Sequence, residues 1–94
     1  EEEKKNRKPP PYCGEKLGKD PTKCPGEGFK WKGKGGPETG KGNWVKGKRA
    51  DGTLEELHPD LDHPLPTGPH WDYYGPDFPN GARLKPNGKW ELKL

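Results

Sequence analysis

Tight-turn signals in the second half of the chain limit its fold more than any other feature. Asp51-Gly52, Pro79-Asn80-Gly81 and Pro86-Asn87-Gly88 favour turns between antiparallel strands. The segments between these signals are short and alternate apolar with polar residues, as strands with one buried face do. We predict strands at residues 43–48, 53–57, 70–74, 82–85 and 89–94, and at most one short helix, near residues 1–8. The predicted fold class is small α+β, mainly β, with a twisted antiparallel sheet of roughly four to five strands.

Apolar residues are too scarce for a large core. The 94 residues suffice for one domain, and 23% are hydrophobic against 35% charged, a balance close to that of disordered chains. The apolar content is concentrated, however, in four Trp, three Tyr and two Phe, and each aromatic side chain buries ~150–250 Å² when packed. We predict a single domain over residues 13–94, with a thin aromatic core and a long N-terminal Gly/Lys/Pro-rich loop region. Residues 1–12 are predicted to be a tail or a linker from a precursor.

Membrane and export signals are missing from the sequence. No apolar run approaches the ~20 residues that a membrane-spanning helix requires, and no signal-peptide pattern is present. We therefore expect no membrane-spanning segment. If the domain is exported, the signal for export must lie on a longer precursor.

Two cysteines, Cys13 and Cys24, flank a loop of ten residues. This spacing does not match a zinc half-site, in which about two to four residues separate the cysteines. We predict a disulfide between them, which would stabilise a domain with so small a core by ~3 kcal/mol. Two free thiols are the alternative.

Basic residues dominate positions 29–49, where Glu38 is the sole acid. Such a local excess suits a polyanion such as a nucleic-acid backbone, although a solvated lysine surface has the same composition. Phe29 and Trp31 either pack beneath this segment or stack on bases. The candidates for substrate binding here are Lys30, Lys32, Lys34, Lys46, Lys48 and Arg49.

All three histidines, His58, His63 and His70, lie within residues 57–74, a segment whose four prolines oppose helix formation. Histidine titrates near neutral pH, and a stiff backbone that gathers such groups predicts a reactive site. Residues 57–66 are predicted to form a rigid loop that presents His63. The aspartates among the histidines are Asp60, Asp62 and Asp72.

Alternation along residues 70–74 assigns the side chains of this strand to two faces. Trp71 and Tyr73 are predicted to point into the core. His70, Asp72 and Tyr74 are predicted to point outward, onto a polar face. Neighbouring strands add three residues to this polar face, namely Arg83, Lys85 and Glu91.

These groups suit acid–base cleavage of RNA. In that reaction a base removes the 2′-hydroxyl proton, an acid protonates the leaving oxygen, and a cation stabilises charge on the phosphate. The scheme requires no metal or other cofactor. Tyr74 and Lys85 join the substrate-binding candidates, and either Arg83 or Lys85 would hold the scissile phosphate. The catalytic candidates are His63 and His70 as acid and base, Asp62 and Asp72 as orienting groups, Arg83 at the phosphate, and His58 and Asp60 as second choices.

A metal site is the other functional interpretation, because the same histidines and aspartates could bind Zn²⁺ or Mg²⁺. The spacing H-x₄-H-x₆-H matches no common zinc motif. As a structural alternative, each Asp–His pair would only hydrogen-bond its own backbone. A serine triad is excluded because the chain contains no Ser.

Four segments resemble the type 37 polymorphic toxin domain, a C-terminal toxin domain of contact-dependent inhibition, Rhs and related secreted bacterial proteins. They are residues 26–35, 42–44, 57–64 (Leu-His-Pro-Asp-Leu-Asp-His-Pro) and 68–73 (Gly-Pro-His-Trp-Asp-Tyr). The resemblance covers residues 13–94. It implies a ribonuclease toxin that is exported within a larger secreted or cell-surface protein and acts on tRNA or rRNA in the target-cell cytoplasm. It also implies a cognate immunity protein that neutralises the toxin.

Residues 62–66, Asp-His-Pro-Leu-Pro, are also similar to the Asp-x-His-Pro-x run of colicins that cleave ribosomal RNA. Those proteins are small, strongly twisted antiparallel sheets. Here the aspartate adjoins the histidine directly, Leu61 and Leu65 are more apolar than in that group, and the acid that follows its histidine is absent. The rival interpretations of the chain are a metal-dependent DNase toxin and a non-catalytic module that binds nucleic acid or protein.

Overall fold

The computed structural model describes residues 9–93, which contain one antiparallel sheet of six strands. A four-residue helix, α1 (Gly14–Leu17), precedes the sheet, and short 3₁₀ helices occur at Pro37–Thr39 and Arg49–Asp51. The predicted mainly β, antiparallel fold is confirmed, but the sheet has more strands than predicted. In sheet order the strands are β1 (Lys30–Gly33), β2 (Gly42–Lys46), β3 (Glu55–Asp60), β4 (His70–Gly75), β5 (Phe78–Leu84) and β6 (Trp90–Leu92).

Several predicted segments lie where the sequence places them. Strand β4 begins at His70 as predicted, and the turn at residues 86–88 is present. Within residues 9–93 no helix is both long and apolar enough to cross a membrane. The helix predicted near residues 1–8 falls outside the described part of the chain.

Two segments predicted as loop or turn are strands instead. Residues 30–33 form β1, which pairs with β2 and places Trp31 opposite Trp44. Pro79-Asn80-Gly81 lies inside β5, where the register shifts, and the hairpin turn comes earlier because Gly75 pairs with Phe78. Gly81 has a φ of 94°, a conformation that glycine adopts readily. The sequence Pro-Asn-Gly therefore forms a bulge in β5 rather than a turn.

Strand β3 extends to Asp60, so the front of the predicted rigid loop is strand. Pro59 is tolerated there because β2 pairs with β3 only as far as Leu57, which leaves β3 a neighbour on one side at residue 59. The loop between β3 and β4 is therefore confined to residues 61–69.

The hydrophobic core lies on one face of the sheet. Leu57, Trp71 and Leu84 are at most 1% exposed, and the buried Trp44 and Tyr73 pack in the same cluster. Alternate residues of β2 to β5 supply this cluster. Because successive side chains of a strand point to opposite faces, the residues between them lie on the polar face. The predicted inward orientation of Trp71 and Tyr73 is confirmed.

The N-terminal segment, residues 10–29, covers this core although α1 is its only helix. The ring of Tyr12 lies 5.5 Å from that of Phe29 and 5.4 Å from that of Tyr73. Phe29 is buried, so it packs in the core and is not available to stack on a ligand. Tyr12, at the end of the segment predicted as a tail, belongs to the packed part of the chain.

Two indole hydrogen bonds attach the N-terminal segment to the sheet. Trp71 donates to the carbonyl oxygen of Gly18 at 2.9 Å, and Trp44 donates to that of Pro21 at 3.0 Å. Each such bond contributes ~0.5–1.5 kcal/mol net, and both satisfy carbonyl groups of a segment with little secondary structure of its own.

Cys13 and Cys24 are free thiols in this structure, so the predicted disulfide is not formed. The Cys24 thiol is instead directed at the carbonyl oxygen of Gly26, at 3.1 Å. Both cysteines line a small cavity of about 150 Å³ beside Tyr12. The free-thiol alternative therefore describes this structure.

Candidate active site on the polar face of the sheet

Ionisable side chains form a row on the face of the sheet opposite the core. In the register, His58 and Asp60 of β3 lie opposite Asp72 and His70 of β4. Residues directly opposite on adjacent strands point to the same face, so these four side chains meet. The neighbouring strands extend the row, with Arg83 opposite Asp72 and Glu91 opposite Arg83.

His70 lies on the predicted face but is only 1% exposed, so the prediction that it points out to solvent is wrong. The reason is the loop 61–69, which folds back over this face and brings the His63 ring to 5.3 Å from the His70 ring. Nδ1 of His70 lies 2.9 Å from the carbonyl oxygen of Gly68, which can only accept, so Nδ1 carries a proton. Buried in this way, His70 does not reach a bound substrate.

The other ring nitrogen of His70, Nε2, faces two carboxylates. It lies 3.4 Å from Oδ2 of Asp60 and 3.2 Å from Oδ1 of Asp72. Asp72 also lies on the predicted face but is only 6% exposed, so the prediction that it points out to solvent is wrong. These three residues form a buried charge cluster, and Asp60 is its more accessible member.

Lys93 connects Asp72 with Tyr74 at the edge of this cluster. Its ammonium donates to the Tyr74 hydroxyl at 2.9 Å and lies 3.5 Å from Oδ1 of Asp72. Burial lowers the pKa of Lys93, but the hydrogen bond to Tyr74 and the charge of Asp72 outweigh it and raise the pKa above its ordinary value. Lys93 therefore remains a cation at neutral pH.

Glu56 and His58 of β3 also lie on this face and are more accessible than His70 and Asp72. Nδ1 of His58 lies 2.7 Å from the carbonyl oxygen of Gly42, which can only accept, so Nδ1 donates this hydrogen bond and Nε2 takes no part in it. Glu56 accepts a hydrogen bond from the amide of Asn43 at 3.2 Å and lies opposite Tyr74. The Cα atoms of Glu56 and His58 are separated by about 6.5–7 Å, the rise of two residues along a strand, and both side chains point to the same side of the sheet. Both side chains are half-buried.

A basic groove adjoins Glu56. It has a volume of about 820 Å³, and Glu56, Lys30, Lys32, Lys48 and Arg49 are among the residues that line it. A second groove, of about 360 Å³, shares Arg49 and Glu56 and is also lined by Tyr74. Four of the six cationic side chains that residues 29–49 were predicted to supply for substrate binding thus lie beside one carboxylate. Lys34 lies beyond the end of β1, and Lys46 has its ammonium 5.7 Å from the ring centroid of the buried Phe29.

Arg83 and Lys85, the predicted phosphate ligands, both pair with Glu91. Arg83 donates to Glu91 at 2.7 Å, and the Lys85 ammonium lies 3.7 Å from the other carboxylate oxygen. The hydrogen bond from Arg83 is the main reason that the pKa of Glu91 is lowered. Of the remaining candidates, Asp62 is exposed on the loop 61–69.

Glu56 is the functional candidate that sequence reasoning misses. Its signal is the alternation Glu56-Leu57-His58, because a buried Leu57 places both neighbours on the opposite face. The prediction of a rigid loop from residue 57 conceals this alternation.

Comparisons with family models, curated proteins and solved structures found no match for this chain. The resemblance to a polymorphic toxin domain therefore stays a prediction.

Proposed function

We propose that this chain is a metal-independent ribonuclease, the toxin domain of a larger secreted or cell-surface bacterial protein. Its substrate is tRNA or rRNA in the cytoplasm of a competitor cell, and a cognate immunity protein neutralises it. The observation that carries the enzymatic part is that Glu56 and His58 share one face of β3 and that Glu56 lines a groove together with four cations. The toxin part rests on the sequence resemblance.

The pair supplies the two proton transfers of RNA cleavage. The Glu56 carboxylate removes the proton from a ribose 2′-hydroxyl, and the resulting oxygen attacks the adjacent phosphorus. The bond from phosphorus to the 5′-oxygen breaks, and protonated Nε2 of His58 gives its proton to that oxygen. The products are a 2′,3′-cyclic phosphate and a free 5′-hydroxyl, so the step needs no co-reactant.

Cations on the groove bind the RNA backbone and stabilise the charge that develops on the phosphate. Arg49 lines both grooves next to Glu56, so it is the best placed to contact the scissile phosphate. Lys30, Lys32 and Lys48 bind the flanking phosphates. Arg83 is a weaker choice because Glu91 already accepts its hydrogen bond.

This assignment moves catalysis from His63 and His70 to Glu56 and His58. His70 is buried against two carboxylates, whereas both members of the new pair are partly accessible. The experiment compares cleavage of total RNA by purified wild type, Glu56→Gln, His58→Gln and His63→Gln in the presence of EDTA. We expect losses of about 10²–10⁴-fold for the first two variants. His63→Gln should retain most activity.

Glu38→Gln is the matched control for Glu56→Gln, because Glu38 is exposed on a short 3₁₀ helix. If His58→Gln keeps full activity and His63→Gln loses it, the catalytic histidine is His63, as first predicted from the sequence, and not His58. Cleavage of plasmid DNA that depends on added metal, without RNA cleavage in EDTA, would replace the proposal by a DNase.

A further inference from the structure

We propose that Asp60, His70 and Asp72 form a binding site for one divalent transition-metal ion of the zinc class. The ligand atoms would be Nε2 of His70 and one carboxylate oxygen from each aspartate. These atoms all lie within 4.8 Å of one another. The ion would hold the end of β3 against the start of β4 and is no part of the cleavage proposed above.

The distances between the ligand atoms suit a tetrahedral ion. Zinc binds nitrogen and oxygen at ~2.0–2.2 Å, so two ligands of one tetrahedron are about 3.3–3.6 Å apart. Nε2 of His70 lies 3.4 Å from Asp60 and 3.2 Å from Asp72. An imidazole with two carboxylates suits zinc and its neighbours better than Mg²⁺, which prefers oxygen ligands and keeps several waters.

Nδ1 of His70, the ring nitrogen that would not bind the ion, already makes the kind of hydrogen bond that metal-binding histidines make. Nδ1–H donates to the carbonyl oxygen of Gly68 at 2.9 Å, which fixes the ring and, in its neutral form, directs the Nε2 lone pair at the carboxylates. A backbone carbonyl on the far nitrogen is a regular partner of ligating histidines. In a neutral ring, that lone pair and the carboxylate charges repel unless a cation lies between them.

Asp72 is the independent observation that points to a ligand. Its side chain is 9% exposed, and Oδ1, the atom aimed at His70, has no hydrogen-bond partner among residues 9–93. Lys93 forms only a long ion pair with this oxygen, at 3.5 Å, and donates its short hydrogen bond to Tyr74 at 2.9 Å. A buried carboxylate oxygen without a hydrogen bond is costly, and coordination to a cation removes that cost.

The position of the three residues predicts what the ion does. Asp60 is the last residue of β3 and His70 the first of β4, so the ion would lie at the base of the loop 61–69. Asp60 retains 33% exposure of its side chain, which leaves a path for the ion to enter. Binding would therefore stabilise the folded state and restrain the loop.

The test measures Zn²⁺ binding by calorimetry on a Cys13→Ser/Cys24→Ser background, so that thiols do not bind the metal. We expect one equivalent of Zn²⁺. We also expect a melting midpoint about 10–20 °C higher at a free zinc concentration of about 100 times Kd. Asp60→Asn and His70→Gln should each lose binding by about tenfold or more. Asp60 is the safer substitution, because it is only half-buried.

Asp62→Asn is the matched control, since Asp62 lies two positions from Asp60 and is exposed. It should bind Zn²⁺ as the background protein does, and His58→Gln should lose RNA cleavage while keeping zinc. No binding by the background protein, or equal binding by Asp60→Asn and Asp62→Asn, overturns the site. RNA cleavage in EDTA is scored separately, so failure of the metal site and failure of the ribonuclease proposal are distinguishable.

Discussion

The two faces of the sheet are built from the same strands and hold opposite kinds of side chain. On β3 and β4, Leu57 and Trp71 are fully buried in the core, while the alternate residues His58, His70 and Asp72 belong to the polar face. Each face is also covered by irregular chain, residues 10–29 on the core side and the loop 61–69 on the other. Regular structure therefore positions both sets, and loops decide how much of each set meets solvent.

The difference lies in what holds each face together. The core face depends on shape and apolar area, which are lost when one large side chain is removed. The polar face depends on ion pairs between side chains that are close together on the same or neighbouring strands. Solvent screens those ion pairs whose side chains are exposed. Substitutions on the core face should therefore lower the free energy of unfolding, whereas substitutions on the polar face should mainly change catalysis and ion binding.

Trp71→Ala should have the largest effect on stability. The indole is 0% exposed and donates to Gly18 at 2.9 Å, so its removal leaves a cavity and an unsatisfied carbonyl. We expect a loss of ~3–5 kcal/mol in the free energy of unfolding, measured by urea titration. Trp31→Ala should cost much less, because Trp31 is only half-buried and lies on the edge strand β1. Equal losses for the two would contradict the placement of Trp71 at the centre of the core and of Trp31 at its edge.

Gly14→Ala should have an intermediate effect, because it tests how the N-terminal segment lies on the sheet. A Cβ at residue 14 would collide with the carbonyl group of Lys85, and backbone there cannot give way as a flexible side chain can. We expect a loss of ~1–3 kcal/mol, measured in the same titration. Gly26→Ala is the matched control, since its Cβ would lie 3.9 Å from the nearest atoms of Phe29. A harmless Gly14→Ala would mean that α1 is not held against β5.

Glu91→Gln should have the smallest effect, and it should depend on pH. Arg83 lowers the pKa of Glu91, so the folded state releases the Glu91 proton more readily than the unfolded state does. The stabilisation is therefore present above the ordinary pKa of about 4.5 and lost as the pH falls below it. Because the Glu91 side chain is 42% exposed, we expect only ~0.2–1 kcal/mol at pH 7.

The measurement is the urea midpoint of wild type and Glu91→Gln at neutral pH and near pH 3. The difference between the two proteins should vanish at the acidic end. A difference that grows as the pH falls would have the wrong sign for this ion pair. Glu38→Gln, at an exposed site, should leave the midpoint unchanged at both values.

The alternation of residues in the sequence was sufficient to predict β4 and to assign each of its side chains to one face of the sheet. His70 to Tyr74 alternates without interruption, and a period of two leaves one choice of inward face once Trp71 is assigned to the core. The same rule predicts the positions of Arg83 and Glu91, because their strands alternate as clearly. Turn chemistry was less reliable, since Pro79-Asn80-Gly81 fits a bulge as well as a turn.

The remaining errors depend on contacts between distant segments. β1 has only Trp31 as an apolar signal, and its strand conformation comes from pairing with β2. From sequence alone, Pro59 indicates the end of a strand. It is accommodated in β3 because the pairing of β2 with β3 ends at Leu57. The burial of His70 depends on how the loop 61–69 folds back, which no local pattern encodes. These tertiary effects changed the candidate catalytic pair.

The order of the strands has a consequence for how the chain folds. Every strand pairs with its neighbour in sequence, so the sheet can grow hairpin by hairpin from local contacts, which favours fast folding. The N-terminal segment that covers the core depends instead on contacts between distant positions, since the hydrogen bond from Trp71 to Gly18 joins residues 53 positions apart. Residues 10–29 thus find their place only after β4 has been made. Until then Trp71 and Leu57 face water, and we expect this interval to be when the chain is most prone to aggregate.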